Sequence, residues 1–159
     1  MEYYNKTARS YNELHGEEQK RKARLVLERI QVKKSDKLLD VGCGTGIATE
    51  LFDCEKTGID PSEKLLLQAR FKTVRGVAEN LPFDDCSFDI VISLTASHHF
   101  TDAEKAFNEM KRVAKRTIVV SVLKKSAQAE KLIGLARKIF RVAEEIQDTH
   151  DIIFICHKV

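Results

Sequence analysis

Between Asp40 and Gly46 the chain reads Asp-Val-Gly-Cys-Gly-Thr-Gly: a carboxylate, then three alternate glycines separated by Cys43 and Thr45. Glycine has no Cβ, so main chain at Gly42, Gly44 and Gly46 can approach another molecule closely and can take the positive φ of a tight turn. A helix opening after such a turn would offer unpaired N–H groups and a positive dipole end, which favour a polar or anionic ligand. A second carboxylate, Asp60, stands 20 residues beyond Asp40 and is followed by Pro61. That is the distance at which the end of a second strand returns beside the first. A carboxylate so placed can accept from two hydroxyls at once, in charge-assisted hydrogen bonds.

The spacing argues against two other phosphate-binding loops. A dinucleotide fingerprint would place its third glycine at position 47, where Ile47 stands, and a phosphate loop would need a lysine that is absent here. His98 and His99 are adjacent and cannot easily share one coordination sphere, so no metal site is expected. His98 is the candidate for taking a proton from an acceptor, set against a packing or ligand-lining role. Cys43 reads as a small packing residue rather than a nucleophile. The cysteines at 43, 54, 86 and 156 form no Cys-x-x-Cys pair, which fits a reducing compartment and argues against a disulfide framework.

These residues need a scaffold. Short apolar runs at Lys37–Val41, Phe88–Leu94 and Thr117–Leu123 read as strands, with weaker ones at Thr57–Asp60 and Lys72–Arg75. Helical stripes lie between them: Glu17–Ile30, Ser62–Arg70 with Ser62 as cap, Asp102–Ala114 with Thr101 or Asp102 as cap, and Ala127–Phe140. Alternation of this kind predicts a parallel sheet covered on both faces. Arg141–Asp148 and Ile152–His157 have no helix between them and read as an antiparallel hairpin. The sequence is expected to form one domain, with an N-terminal lid and helix in 1–31, a ligand-binding core in 37–123, and a last helix and closing hairpin in 124–159.

A formal charge of +3 with interspersed signs tolerates a phosphate-bearing partner without demanding one. No apolar signal-peptide region opens the sequence, and the longest aliphatic stretch, around Ile118–Leu123, is too short to span a bilayer. The expected location is cytoplasmic.

Leu38–Gly46 resembles motif I of the class I S-adenosylmethionine-dependent methyltransferases. The likeness continues in order: Thr57-Gly58-Ile59-Asp60-Pro61-Ser62 is similar to the second motif, Gly76–Phe83 to the loop beside the adenine, and Ser87–Ser93 with His98-His99 to the fourth strand and its exit. Tyr3–Asn12 looks like the lid of the small type-11 members. The resemblance implies an α/β, Rossmann-like, doubly wound and mostly parallel seven-stranded sheet with an antiparallel C-terminal hairpin strand. It implies S-adenosylmethionine as cofactor, with S-adenosylhomocysteine as product. The implied cofactor residues are Asp40, Gly42, Cys43, Gly44, Thr45 and Gly46 in the first loop, then Asp60 and Pro61, Ala78, Glu79 and Asn80, Leu94, and the lid tyrosines Tyr4 and Tyr11. Tyr11 and His98 are the residues expected nearest the chemistry, an in-line methyl displacement in which the protein aligns donor and acceptor.

Two departures stand out. Val77 occupies the position where the family often has an acid for the adenine amino group. The turn before the fifth strand, Ala114-Lys115-Arg116-Thr117, is clipped. After the fourth strand there is no Asp/Asn-Pro-Pro-Tyr/Phe and no Pro-Cys, which disfavours adenine N6, glutamine-amide and cytosine C5 acceptors. Without an insertion for substrate recognition, the expected acceptor is a small molecule. Basic clusters at Lys20-Arg21-Lys22 with Arg24, Lys111-Arg112 through Lys115-Arg116, and Lys124-Lys125 keep RNA in play, with protein or lipid acceptors also open. A homo-oligomer or an activator subunit is the expected source of any missing surface. The class competing with an enzyme is a cofactor-binding, non-catalytic subunit.

Overall fold

The computed structural model describes residues 8–158, with side chains from residue 15 onward. Helix α1 (Ala8–Leu27) leads into β1 (Lys37–Val41), β2 (Glu55–Asp60), α2 (Glu63–Leu66), β3 (Lys72–Arg75) and β4 (Phe88–Ser93). Then come α3 (Ala103–Val113), β5 (Ala114–Leu123), α4 (Ala129–Ile139), β6 (Arg141–Gln147) and β7 (Asp151–His157). The seven strands form one sheet in the order β3-β2-β1-β4-β5-β7-β6. β1 through β5 are parallel, and β7 runs antiparallel to both neighbours. The α/β class and the closing hairpin therefore stand as the sequence implied.

Alternation along the strands divides the core. Leu39, Val41, Val91, Val120 and Phe154 pack with Phe107, Met110 and Leu132 of α3 and α4 on one face. Leu38, Ile90, Ile92, Val119 and Ile153 pack with Ala23 and Val26 of α1 on the other. Successive strand residues point to opposite faces, which is why neighbours such as Leu38 and Leu39 join different cores.

The helix ends obey local chemistry. Ser62 accepts from the Leu65 N–H at 3.3 Å and Asp102 from the Lys105 N–H at 3.1 Å, each satisfying an amide that the first helical turn leaves unpaired. The clipped turn before β5 is complete: α3 ends at Val113 and Ala114 already pairs with Phe88.

Three expectations change. The helix expected from Ser62 to Arg70 closes after Leu66, where Gln68 N–H bonds Leu65 O and Ala69 N–H bonds Leu66 O in tight i−3 turns. No α-helix follows the glycine turn. Residues 47–54 hold only turns and a 3₁₀ segment, Thr49–Leu51, because too few residues separate Gly46 from β2 for a helix of ordinary length. The first helix, expected over Glu17–Ile30, begins at Ala8 and ends at Leu27, so residues 8–12 of the segment read as lid are helical.

Candidate active site

The C-terminal edge of the sheet carries the expected residues. Gly42, Gly44 and Gly46 all have positive φ, at +75°, +56° and +79°, a run that L side chains rarely tolerate. The turn folds back on β2: Gly42 N–H donates to Ile59 O at 2.8 Å and Cys43 N–H to the same oxygen at 3.2 Å. Gly44 N–H donates to Asp60 Oδ2 at 3.0 Å. A Cβ at Gly42 would lie 2.6 Å from Ala96, and one at Gly46 would lie 2.4 Å from the Phe71 ring. Two of the three glycines thus serve internal packing as well as the turn, and the amides expected from a helix start are replaced by amides committed to β2.

A cavity of about 180 Å³ opens beside this turn. Gly42, Gly44, Asp60, Pro61, Ala78 and Glu79 line it, Leu65 and Val77 contribute apolar surface, and Thr95, Ala96, His99, Phe100 and Thr101, which follow β4, complete the lining. Asp60 is 5% exposed. Its Oδ1 accepts from Ser62 N–H at 2.8 Å and its Oδ2 from Gly44 N–H, which leaves lone pairs on both oxygens for further donors. Burial raises its pKa, and the two backbone amides oppose that rise.

A smaller cavity shares Gly42 with the first and is lined by Asp40, Cys43, Thr45, Leu94 and Gln19. Asp40 accepts from Thr49 Oγ1 at 2.6 Å and forms no ion pair among the described residues. Burial pushes its pKa up to about 7, the Asp60 charge adds to the rise, and the Thr49 hydroxyl opposes it. Burial also drives the Cys43 thiol well up, followed by the Asp40 and Asp60 charges, so Cys43 is not a thiolate nucleophile. Gln19, a 7%-exposed amide on α1, is a residue that sequence reasoning missed, because one polar position inside a helix carries no sequence signal.

The other expected residues fall as follows. Glu79 lines the larger cavity, and its Oε2 accepts from Asp102 N–H at 3.0 Å, tying the loop to the start of α3. Asn80 is exposed and lies outside the lining. His99, not His98, stands on the cavity wall. The His98 ring packs against it with centroids 4.0 Å apart. Burial, then the His99 and Lys22 charges, pushes the His98 pKa down to about 4 against the pull of Asp151, so His98 is neutral near pH 7. Tyr11 belongs to α1 by its backbone, but its side chain lies outside the described residues, as does all of Tyr4.

A parallel sheet with a glycine turn after β1, an acid ending β2 and a cavity over both defines an adenosyl-cofactor α/β domain. The methyltransferase-domain family matches residues 39–120, and the chain belongs to that family, within the class I S-adenosylmethionine-dependent methyltransferases. It is 34% identical over 118 residues to an uncharacterised protein of Methanocaldococcus jannaschii, covering 72% of this chain and 47% of that one. It is 32% identical over 155 residues to a malonyl-[acyl-carrier protein] O-methyltransferase of Erwinia pyrifoliae, covering 88% of this chain and 59% of that one. The chain thus spans about half the length of these relatives. A chain from the complex between the Haloferax volcanii Trm112 methyltransferase activator and a methyltransferase has the same fold, with TM-score 0.83 and 18% identity, over 98% of this chain and 97% of that one. The residues fit the cofactor of the class. Asp60 offers two acceptor oxygens to vicinal hydroxyls, and the buried Asp40, which has no ion pair among the described residues, would suit an ammonium group. No described helix is long and apolar enough to cross a membrane.

Proposed function

We propose that the chain binds S-adenosylmethionine across both cavities and methylates a small-molecule acceptor in the cytoplasm. The observation that carries this reading is the placement of Asp60 and Asp40 on adjoining cavities joined at Gly42. When bound, the cofactor supplies an electrophilic methyl group on a sulfonium. Asp60 receives the ribose hydroxyls, and Asp40 with Gln19 receives the amino-acid end. Ala78 and Val77 pack against the base, which the loop recognises through main chain because Val77 brings no carboxylate. The lining that follows β4, formed by Thr95, Ala96, His99, Phe100 and Thr101, receives the acceptor. The described cysteines are all free, in keeping with a reducing compartment.

A second reading adds an activator subunit. It is favoured by the near-complete overlap with the chain from the Haloferax volcanii activator complex. Methyl-labelled S-adenosylmethionine incubated with the protein and cell extract tests both readings. Label in the small-molecule fraction is expected. Label confined to RNA or protein would overturn the acceptor class, and label appearing only after a partner is added would favour the second reading.

A further inference from the structure

Val77 lines the larger cavity and yet is 46% exposed, whereas Ala78 beside it is 6% exposed and Asp60 is buried. Val77 therefore stands on the rim, with Asp60 deeper. The loop that carries Val77 is tied to the acid. Arg75, the last residue of β3, pairs with Asp60, and Gly76 N–H donates to Asp60 O at 3.2 Å. With a ribose on Asp60, the attached base meets residues 76–79 next and turns its outer edge toward Val77.

The polar groups of this loop are unevenly matched. The N–H groups of Val77, Ala78 and Glu79 have no partner among the described residues, while Val77 C=O already accepts from Asn80 N–H at 3.3 Å. The side chains of Val77 and Ala78 accept nothing, and the Glu79 carboxylate is turned toward α3, where Oε2 accepts from Asp102 N–H at 3.0 Å. Asp60 is the other carboxylate on the lining, and it faces the ribose and two backbone amides. Thr95, His99 and Thr101 follow β4, on the side given to the methyl acceptor. The Thr95 hydroxyl is also committed, accepting from Lys22 Nζ at 2.5 Å and donating to Asp151 Oδ2 at 2.9 Å.

Backbone N–H groups can donate only to acceptors, and the acceptors of a purine are its unprotonated ring nitrogens. The loop is thus equipped to hold a base by its ring nitrogens, with no carboxylate for an exocyclic amine. At the exposed Val77 rim, water satisfies the hydrogens of a 6-amino group as it does in the free ligand. The amine then gains little on binding, because a hydrogen bond contributes only the difference between its protein and water partners.

We propose that Val77 sets the base specificity of the site by leaving the purine 6-amino group unread, so that adenosyl ligands and their 6-deamino purine counterparts bind alike. The inference rests on the methyltransferase reading and widens its cofactor class to purines that keep their ring acceptors, whatever the substituent at carbon 6 contributes. An acid at position 77 would accept from the amine in a charge-assisted hydrogen bond and restore the distinction.

Calorimetric titration of the full chain with S-adenosylhomocysteine and its 6-deamino, 1-deaza and 3-deaza analogues tests this. The wild type is expected to bind the 6-deamino analogue within about threefold of the parent. At least one deaza analogue, each lacking one ring acceptor, is expected to bind more than about threefold more weakly, because it leaves a main-chain donor unpaired. Val77→Asp is expected to favour the parent over the 6-deamino analogue by more than about threefold. Val77→Asn, which carries a neutral acceptor, replaces that variant if it fails to fold. A wild type that prefers the parent over the 6-deamino analogue by more than about threefold overturns the inference while leaving the methyltransferase reading intact. So do two deaza analogues that bind like the parent, or a folded Val77 variant that still binds both ligands alike. Failure of the wild type to bind S-adenosylhomocysteine overturns both.

Discussion

Gly44 donates its backbone N–H to Asp60 Oδ2 at 3.0 Å, so the turn after β1 and the acid ending β2 form one hydrogen-bonded unit. With Ser62 N–H on Oδ1, both oxygens of Asp60 face backbone donors. Asp60→Asn must therefore set its amide NH2 against one of these N–H groups. The ligand-free variant is expected to lose roughly 1–3 kcal/mol, the cost of a buried donor left unsatisfied. Urea unfolding checks this, and a stability equal to wild type would show that the site relaxes around the amide.

Lys22 and Asp151 are buried and paired. Lys22→Met removes the cation and leaves a carboxylate with no other described ion-pair partner, which is expected to cost about 3–5 kcal/mol. Lys22→Met/Asp151→Leu removes both charges and is expected to recover most of that loss. Chemical denaturation of the single and double variants reads the difference, and equal stabilities would show that the pair is not desolvated in solution.

A Cβ added at Gly58 would lie 2.5 Å from Cys43 Sγ and 3.1 Å from the Phe71 ring. Gly58→Ala is expected to cost about 1–3 kcal/mol by overpacking. Cys43→Ala should absorb much of that cost, giving a clear coupling in a double-mutant cycle. Additive effects would show that the obstacle is Phe71 or the Cys43 Cβ, 3.0 Å away and kept by alanine, rather than the thiol.

The Asp40 carboxyl, raised to about 7 by burial from an ordinary 3.8, holds a proton in the ligand-free folded chain that the unfolded chain has lost. Between these values the folded state binds more protons, so stability falls as pH rises and levels off above about 7. The slope is at most about 1.4 kcal/mol per pH unit from this group. An ammonium bound beside Asp40 favours its ionised form, so S-adenosylhomocysteine binding at pH 6 should release a proton. Calorimetry in buffers of different ionisation heat measures that release, and its absence would remove Asp40 from the amino-acid end of the ligand.

Much of this architecture was legible because its signals are local. The runs Phe88–Leu94 and Thr117–Leu123 read as strands from their valine and isoleucine content and short length, and the α3 stripe of Ala103, Ala106, Phe107, Met110 and Val113 reads as a helix from its spacing. The approach of Asp60 to the glycine turn follows from their spacing. The early end of α2 was hidden, because Phe71 must leave the helix to fill the space against Gly46 and Gly58. Hidden too were Gln19 and the Lys22–Thr95–Asp151 cluster. Lys22 and Thr95 lie 73 positions apart in sequence, and only the docking of α1 and the hairpin across the sheet end brings them together.

Calorimetric titration of wild type and Asp60→Ala with S-adenosylhomocysteine tests the central claim, that this sheet edge holds an adenosyl ligand by its ribose. The wild type should saturate at one site. The folded variant should bind about 10–150-fold more weakly, the equivalent of roughly 1.5–3 kcal/mol for a hydrogen bond to a charged group. A wild type that does not bind, or a folded Asp60→Ala with undiminished affinity, would contradict it.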